Sequence, residues 1–525
     1  MRSQAAANVA GSDVARWAAP ATVAAIALIL YVRTLLPGMA FDDWGEMQTV
    51  PHVLGIPHPT GYPTYVLTAW LFELPPIGSV AFRANLLSAV CIALAMGFLA
   101  SILQRLEVRP AIAAVAAIAT GFTGTIWASA GVAEVNPLHV LFIALIVDRA
   151  LAWAGTRRLR DLALGGLLIG LSLGNHVLTA FVAPFVVLYV VWVGRRELAA
   201  NPGWLLVALA MLALGLSVYL YLPIAASFDP PLVYNDPVTF ERFRFLVTGE
   251  QFRAQYGNLF STADLGPYLA SLPHLWSLAV ARGTVVMPVV GMLGLAILVV
   301  RRPAFGLACC GILVLGSYVW ASYLELEHYL LVPWLLLGIG IGVALDGLAV
   351  VIEHLAIRRL AIERGASRAL ARLATIGPAL AGAALAVMLI AVNLSLADHS
   401  DDHSAEAYVD AVFAALPADA AILSYWGAST PLWYATLVEG RRPDVLVVDD
   451  TDIVYGGWGT RERRIAALIC SRPVFILRPT ESDLVPTRAQ YRLTPVAELD
   501  VAGGTPSATF PAPLYRVDPY GGSCP

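Results

Sequence analysis

Residues 41–63 read FDDWGEMQTVPHVLGIPHPTGYP and follow the first long apolar run of the chain, residues 17–36. The stretch holds three carboxylates (Asp42, Asp43, Glu46), two histidines (His52, His58) and four prolines. Its meaning depends on its surroundings. The chain has 525 residues, 58% hydrophobic and 13% charged, with a mean hydropathy of +0.72. Soluble proteins carry roughly 25% charged residues. Runs of about 20 apolar residues, enough to cross a hydrocarbon core of about 30 Å, recur along most of the sequence. The fold class is therefore a mainly α, polytopic membrane protein. A dense acidic patch just outside a membrane span needs water, a cation or a proton, which is the pattern of a site. A solvated loop after a helix has the same composition, so the patch alone leaves both readings open.

The apolar segments run 17–36, 82–104, 110–128, 135–153, 161–175, 178–194, 203–222, 274–300, 304–322, 329–351 and 374–396, eleven expected spans. The first is too long for a removed signal peptide and lacks a small-residue cleavage site, so it reads as an anchor. All 33 basic residues are arginine. Arg2 and Arg16, Arg105 and Arg109, Arg157, Arg158 and Arg160, Arg195 and Arg196, Arg301 and Arg302, and the cluster Arg358 to Arg372 all fall on one side of an eleven-span arrangement. Arginine in short loops marks the cytoplasmic face. The expected topology has the N-terminus inside and the C-terminus outside. A net charge of -4 gives no reason to expect nucleic acid.

The opposite loops are 37–81, 131–136, 175–176, 223–273, 325–328 and everything after about 397. They gather the acidic, aromatic, proline and histidine residues, so any chemistry is expected on the extracytoplasmic side. Residues 62–74 form an apolar piece too short to span, which reads as interfacial. Trp44 and Trp70 suit the headgroup level.

The expected domains are a transmembrane unit, 1–396, with external loops 37–81 and 223–273, and an extracytoplasmic α/β unit, 397–525. In the latter, AAILSYW, DVLVVDD and PVFILRP read as buried strands. SAEAYVDAVFAALP, TPLWYATLVEG and TRERRIAALICS read as helices. The alternation suggests a largely parallel sheet, followed by a frayed Gly-rich tail. Cys91, Cys309 and Cys310 lie in apolar spans as small hydrophobes. Cys470 and Cys524 share a disulfide-permitting compartment. No CxxC or HExxH spacing marks a metal site.

The acidic stretch also resembles the hallmark of the animal transmembrane O-mannosyltransferase family and its bacterial relatives. Asp43, Gly45 and Glu46 match an Asp-x-Gly-Glu element. His58, Pro59, Gly61, Tyr62 and Pro63 match a His-Pro-Pro-Gly-Tyr-Pro element, with Thr60 in place of a proline. FRANLLSA (Arg83, Asn85), WASAGVAEVNPLHVLF (Trp127, Glu134), GLSLGNHV (Asn175, His176), the loop from YLPI to LVTGEQF, and PLWYATLVEGRRPDVLVV follow in the family's order. Asn136 and Tyr234–Asn235 depart from the usual residues. The family is similar to the wider GT-C group of glycosyltransferases. The resemblance implies an enzyme in a bacterial inner membrane. It would move a sugar, mannose by analogy with the animal relatives, from a polyprenyl-phosphate carrier to a hydroxyl of a protein, lipid or glycan.

Such chemistry needs no nucleotide site, and the sequence has no GxxxxGK[ST]. It needs a base for the acceptor hydroxyl, worth about 10²–10⁴ in rate, and cations for the leaving phosphate. Asp43, matching the family Asp, is the expected base. Glu46, three residues on, shares its face if the segment is helical, and Asp42 is the alternative. Glu134, His58, Tyr62 and His176 are expected at the substrate. Glu134 also reads as a helix N-terminal carboxylate, and the two histidines as interfacial ones. Gly61 is expected to take a positive φ in the Pro-Gly-Tyr-Pro turn. Arg83, Arg242, Arg244, Arg253 and Arg282 break the inside-positive trend. Of these, Arg83, Arg242 and Arg282 are expected at the substrate, as is His328. Three clustered carboxylates permit a divalent cation without requiring one. A transporter or lipid-linked sugar flippase would share the many spans. Such proteins, however, usually show inverted repeats and midplane polar sites. A non-catalytic scaffold is the third reading.

Overall fold

The structure, a computed structural model, describes residues 2–251, 265–322, 326–360, 367–450, 453, 457–505 and 508–521. The helices are α1 (Arg2–Arg33), α2 (Asp42–Thr49), α3 (Pro63–Glu73), α4 (Val80–Arg105), α5 (Pro110–Gly121), α6 (Gly124–Ala130), α7 (Val135–Thr156), α8 (Leu159–Asn175), α9 (Thr179–Ala200) and α10 (Gly203–Leu216). They continue with α11 (Tyr221–Ala226), α12 (Phe240–Val247), α13 (Gly266–Gly283), α14 (Val286–Arg301), α15 (Pro303–Ser322), α16 (Leu331–Leu360) and α17 (Ser367–Ala397). Among the described residues, eight helices are long and apolar enough to span a membrane, or up to ten if each of two bent pairs is one span. All eleven apolar segments are helical. The one left out of that count is 161–175, in the 17-residue α8, which packs against α7 and α10.

Between α5 and α6 the chain turns by 73°. The hydroxyls of Thr120 and Thr123 donate to Ala116 O (2.8 Å) and Thr120 O (2.9 Å) at that break. Hydroxyls often take up freed backbone groups in this way inside membranes. Between α13 and α14 the bend is 106°. Helix contacts rest on small residues, as expected where lipid is as apolar as the side chains. A Cβ on Gly340 of α16 would overlap the Gly291 carbonyl of α14, and one on Gly294 would overlap Gly340 O.

The two ends of the bundle differ. At one end, Arg105 Nε and Nη2 grip Asp148 (2.6 and 3.1 Å), which Arg149 also contacts. There too Arg149 reaches Asp161 (3.1 Å) and Arg109 reaches Asp346 (3.1 Å) and Glu353 (2.7 Å). At the other end, α2 packs against α4, and α3 packs against α4 and α8.

After α17 come α18 (Ser404–Ala415), β1 (Ala421–Ser424), α19 (Trp426–Trp433), β2 (Leu446–Asp449), α20 (Arg461–Leu468), β3 (Val474–Leu477), β4 (Tyr491–Thr505) and β5 (Ala508–Pro519). The strand order is β2-β1-β3-β5-β4. β1 pairs parallel with β2 and β3, but β3–β5 and β5–β4 are antiparallel. The expectation of a largely parallel sheet is corrected to a mixed one. The expected frayed tail is corrected in part: Gly503–Gly504 lie in β4, which pairs antiparallel with β5 beside β3, while Gly522 lies outside the described residues. The alternation of β4 and β5 was obscured because Leu499, Val501, Ala512 and Leu514 bury one face while prolines and glycines interrupt the other. The pairing of Cys470 with Cys524, and the place of Arg253, lie outside the described residues.

Candidate active site

The acidic stretch folds as a short helix followed by a tight turn. α2 starts at Asp42, with two carboxylates in its first turn, where the positive end of the helix dipole favours them. Its 3.6-residue period brings Asp43 and Glu46 to one side. The turn then returns His58 to them. Glu46 is fully buried, and its Oε1 accepts the His58 backbone N–H (2.9 Å) while Oε2 meets His58 Nδ1. Asp43 Oδ1 lies 3.8 Å from the same Nδ1, with 37% of its side chain exposed. His58 Nε2 meets Tyr62 OH (3.1 Å), which donates to Pro59 O (2.9 Å). Gly61 takes φ +81°, as the turn requires, and Leu222 and Leu246 crowd the space a Cβ would fill.

Ligand atoms of Asp43, Glu46 and His58 all lie within 4.8 Å of one another, so among the described residues these three form a group that could hold a metal ion. Both Glu46 oxygens, however, are engaged by His58.

The electrostatics follow from burial and proximity. Burial raises the Asp43 carboxyl to about 6; His58 and His328 lower it, and Glu134 and Glu46 raise it further. Burial also raises Asp42 to about 6, with help from Asp43. Burial alone would lower His58, but Glu46 and Asp43 prevail and raise it to about 9. Burial and the neighbouring histidines hold His176 well below its usual value.

The remaining candidates divide. Glu134 is the N-cap of α7, its Oε1 accepting from Val135 N (2.8 Å) and Asn136 Nδ2 (3.1 Å). It is the bland helix-terminus reading in its bonds, yet its charge acts on both Asp43 and His58. The His176 ring lies 5.9 Å from Tyr62, 5.5 Å from His139 and 6.2 Å from Tyr329. His328 stacks edge-on with Tyr329 (4.8 Å). Arg282 stands at the α13–α14 bend. Its Nε and Nη2 hold Glu327 at 2.9 and 2.6 Å, so a protein carboxylate meets the charge that was expected to await a lipid phosphate. Asp42 lies against Gly427 and acts on Tyr425, on the C-terminal side. Arg83 and Arg242 are not brought into the group. Arg83 caps the turn at Ile77 and Gly78 (3.3 and 2.8 Å), and exposed Arg242 pairs with Asp236 (2.5 Å). Arg244 pairs with Glu250 (2.7 Å).

Three features escaped sequence reasoning. Trp426, at the start of α19, sets its ring 5.5 Å from that of His58, so the C-terminal unit roofs the site. Tyr329 and His139 join the histidine cluster. Buried Gln48 accepts Ala40 N (2.9 Å) and donates to Asn85 (3.0 Å), whose Oδ1 also accepts Ala133 N (2.8 Å). That clamp ties α2 to α4 and to the segment ending at Glu134. Only Gln48 had a signal, an amide among apolar and acidic neighbours.

Residues 43–199 match the family described as the protein O-mannosyl-transferase TMEM260 N-terminal domain. The chain is 32% identical over 244 residues to the protein O-mannosyl-transferase TMEM260 of Mus musculus, 45% of this chain and 33% of that protein. The chain thus spans about a third of that relative's length. Among solved structures, ArnT from Cupriavidus metallidurans in the apo state superposes with a TM-score of 0.56 at 13% identity, covering 94% of this chain and 97% of that one. The same protein bound to undecaprenyl phosphate gives 0.51 at 14% identity with the same coverage. The chain has a GT-C-type fold and resembles the O-mannosyltransferase family.

Proposed function

We propose that this chain is a membrane glycosyltransferase that moves a sugar from a polyprenyl-phosphate carrier to an acceptor hydroxyl. The observation that carries the reading is a partly open Asp43 beside a fully buried Glu46 that is locked to His58. Two roles separate: a carboxylate that can meet solvent and substrate, and a locked pair that holds it. As the acceptor oxygen attacks the anomeric carbon, its proton passes to Asp43. The bond from that carbon to the phosphate oxygen breaks, and the phosphate leaves with the electron pair. Neighbouring carboxylates also favour the oxocarbenium character that builds at the sugar.

Arg282, held by Glu327 next to His328, supports a cationic side to the site. A phosphate arriving there competes with Glu327 for Arg282. The likeness to an O-mannosyl-transferase supports mannose and a protein acceptor. ArnT bound to undecaprenyl phosphate supports the lipid carrier. The arginine-rich end of the bundle lies opposite the site, which supports a site facing the extracytoplasmic side. A divalent cation is not required in this reading, because His58 already occupies both Glu46 oxygens.

The test uses the full chain in lipid nanodiscs with synthetic polyprenyl-phosphate mannose labelled on the sugar. Release of free polyprenyl phosphate, with sugar on a hydroxyl acceptor or on water, supports the reading. Movement of the intact lipid-linked sugar across a liposome bilayer without release would assign the chain to the transporters instead.

A further inference from the structure

Among the described residues, β2 is an edge strand, paired only with β1. In a parallel pair, alternate residues turn their N–H and C=O to alternate sides. Leu446 N donates to Ala420 O (2.9 Å), so Leu446 and Val448 face β1 and Val447 turns its main-chain groups outward. Along this outer edge lies a cavity of about 440 Å³. Val447, Trp433 and Leu437 form one wall, and Pro231 and Leu232 of the loop after α11 form the other. That loop is itself held in extended form. Ile56 N donates to Leu232 O (2.9 Å) and Tyr234 N to Ile56 O (3.1 Å). The cleft therefore lies between a strand edge and an extended segment. Native proteins normally cover such edges.

The cleft adjoins the site. Trp433 and Leu232 share an apolar cluster with Val50, just after α2, and Trp426 packs on that cluster. The other side of the Trp426 contact is the His58 ring.

We propose that this cleft takes an extended polypeptide, added as a strand to the outer edge of β2, and that the same polypeptide carries the acceptor hydroxyl past Trp426 to Asp43. The inference rests on the transferase reading above and names its acceptor site. The outward main-chain groups of Val447 match those of another extended main chain. The Trp, Leu, Val and Pro walls suit alternate side chains, and Tyr234, Thr436, Asp449 and Arg464 at the same cleft supply polar partners. Strand addition draws its affinity from the backbone and so accepts varied sequences.

The probe is a blocked, fluorescent decapeptide of alternating threonine and valine, bound to the full chain in nanodiscs. Saturable binding is expected. N-methylation of alternate amides along one peptide edge should abolish it, and methylation along the other edge should leave it intact. The protein is unaltered in this arm, so folding does not confound it. Val447→Pro removes one outward N–H at a position where an edge strand tolerates proline, and should weaken binding about tenfold, the scale of one lost hydrogen bond. Absent binding, equal sensitivity to methylation on both edges, or displacement of the peptide by mannopentaose overturns the inference, the last in favour of a glycan occupant. Donor turnover is measured alongside. If polyprenyl phosphate is never released, the transferase reading fails; if it is released while the peptide stays unbound, only the strand-addition inference fails.

Discussion

Replacing Asp43 with asparagine keeps the shape of the side chain and removes its capacity to take a proton. As the expected general base, Asp43 is worth about 10²–10⁴ in turnover. The pH dependence gives a sharper reading than the loss itself. With a carboxyl raised to about 6, Asp43 is about nine-tenths ionised at pH 7 and about one-tenth at pH 5. The kcat/KM of the wild type should therefore fall about tenfold from pH 7 to pH 5. An ordinary carboxylate would stay largely ionised over that range. Asp42 is raised to a similar value, but it lies against Gly427 rather than in the His58 group. Asp42→Asn should keep both the rate and the acid limb, while Asp43→Asn should lose both. The assay is initial-rate release of polyprenyl phosphate at donor concentrations well below KM across pH 5 to 8, where the rate reports kcat/KM. A flat wild-type profile, or an acid limb that persists in Asp43→Asn, would refute the assignment.

Other expectations follow from the same geometry. His58 is held protonated to about 9, above its unfolded value of about 6.5. Its contribution to stability is complete below about 6.5 and is lost as pH rises through about 9. The melting temperature should fall across that window, and Glu46→Gln should flatten the fall. At the opposite end, Asp148→Asn leaves Arg105 and Arg149 without their shared carboxylate. The cost should be about 3–5 kcal/mol, seen as a lower melting temperature in nanodiscs, with Asp43 chemistry retained in the surviving folded fraction. Gly340→Ala pushes a methyl into the Gly291 carbonyl and should destabilise by about 1–3 kcal/mol. An unchanged melting temperature would mean that α14 and α16 are not in backbone contact.

The sequence by itself determined the membrane class, because apolar run length is set by bilayer thickness and needs no tertiary information. All the apolar runs are helical, though 110–128 and 274–300 are each broken by a bend, and Asp43 and Glu46 share a helical face because three residues is nearly one turn. The sharp turn at Gly61 was equally legible, since a positive φ is cheap only for glycine. What the local pattern could not give was which groups meet after folding. Arg282 read as a lone cation near the membrane, but its partner Glu327 lies 45 residues away and is brought in by the α13–α14 bend. Asp42 and Asp43 are neighbours with the same chemistry, and only packing turns one toward His58 and the other toward Gly427. The roof over His58 comes from Trp426, hundreds of residues downstream. The β4–β5 pair was hidden because its strands are stabilised by pairing across the sheet rather than by a strong local period. Local periodicity fixes elements. Charge pairing, burial and the place where two units touch are properties of distance in space, and only the tertiary structure decides them.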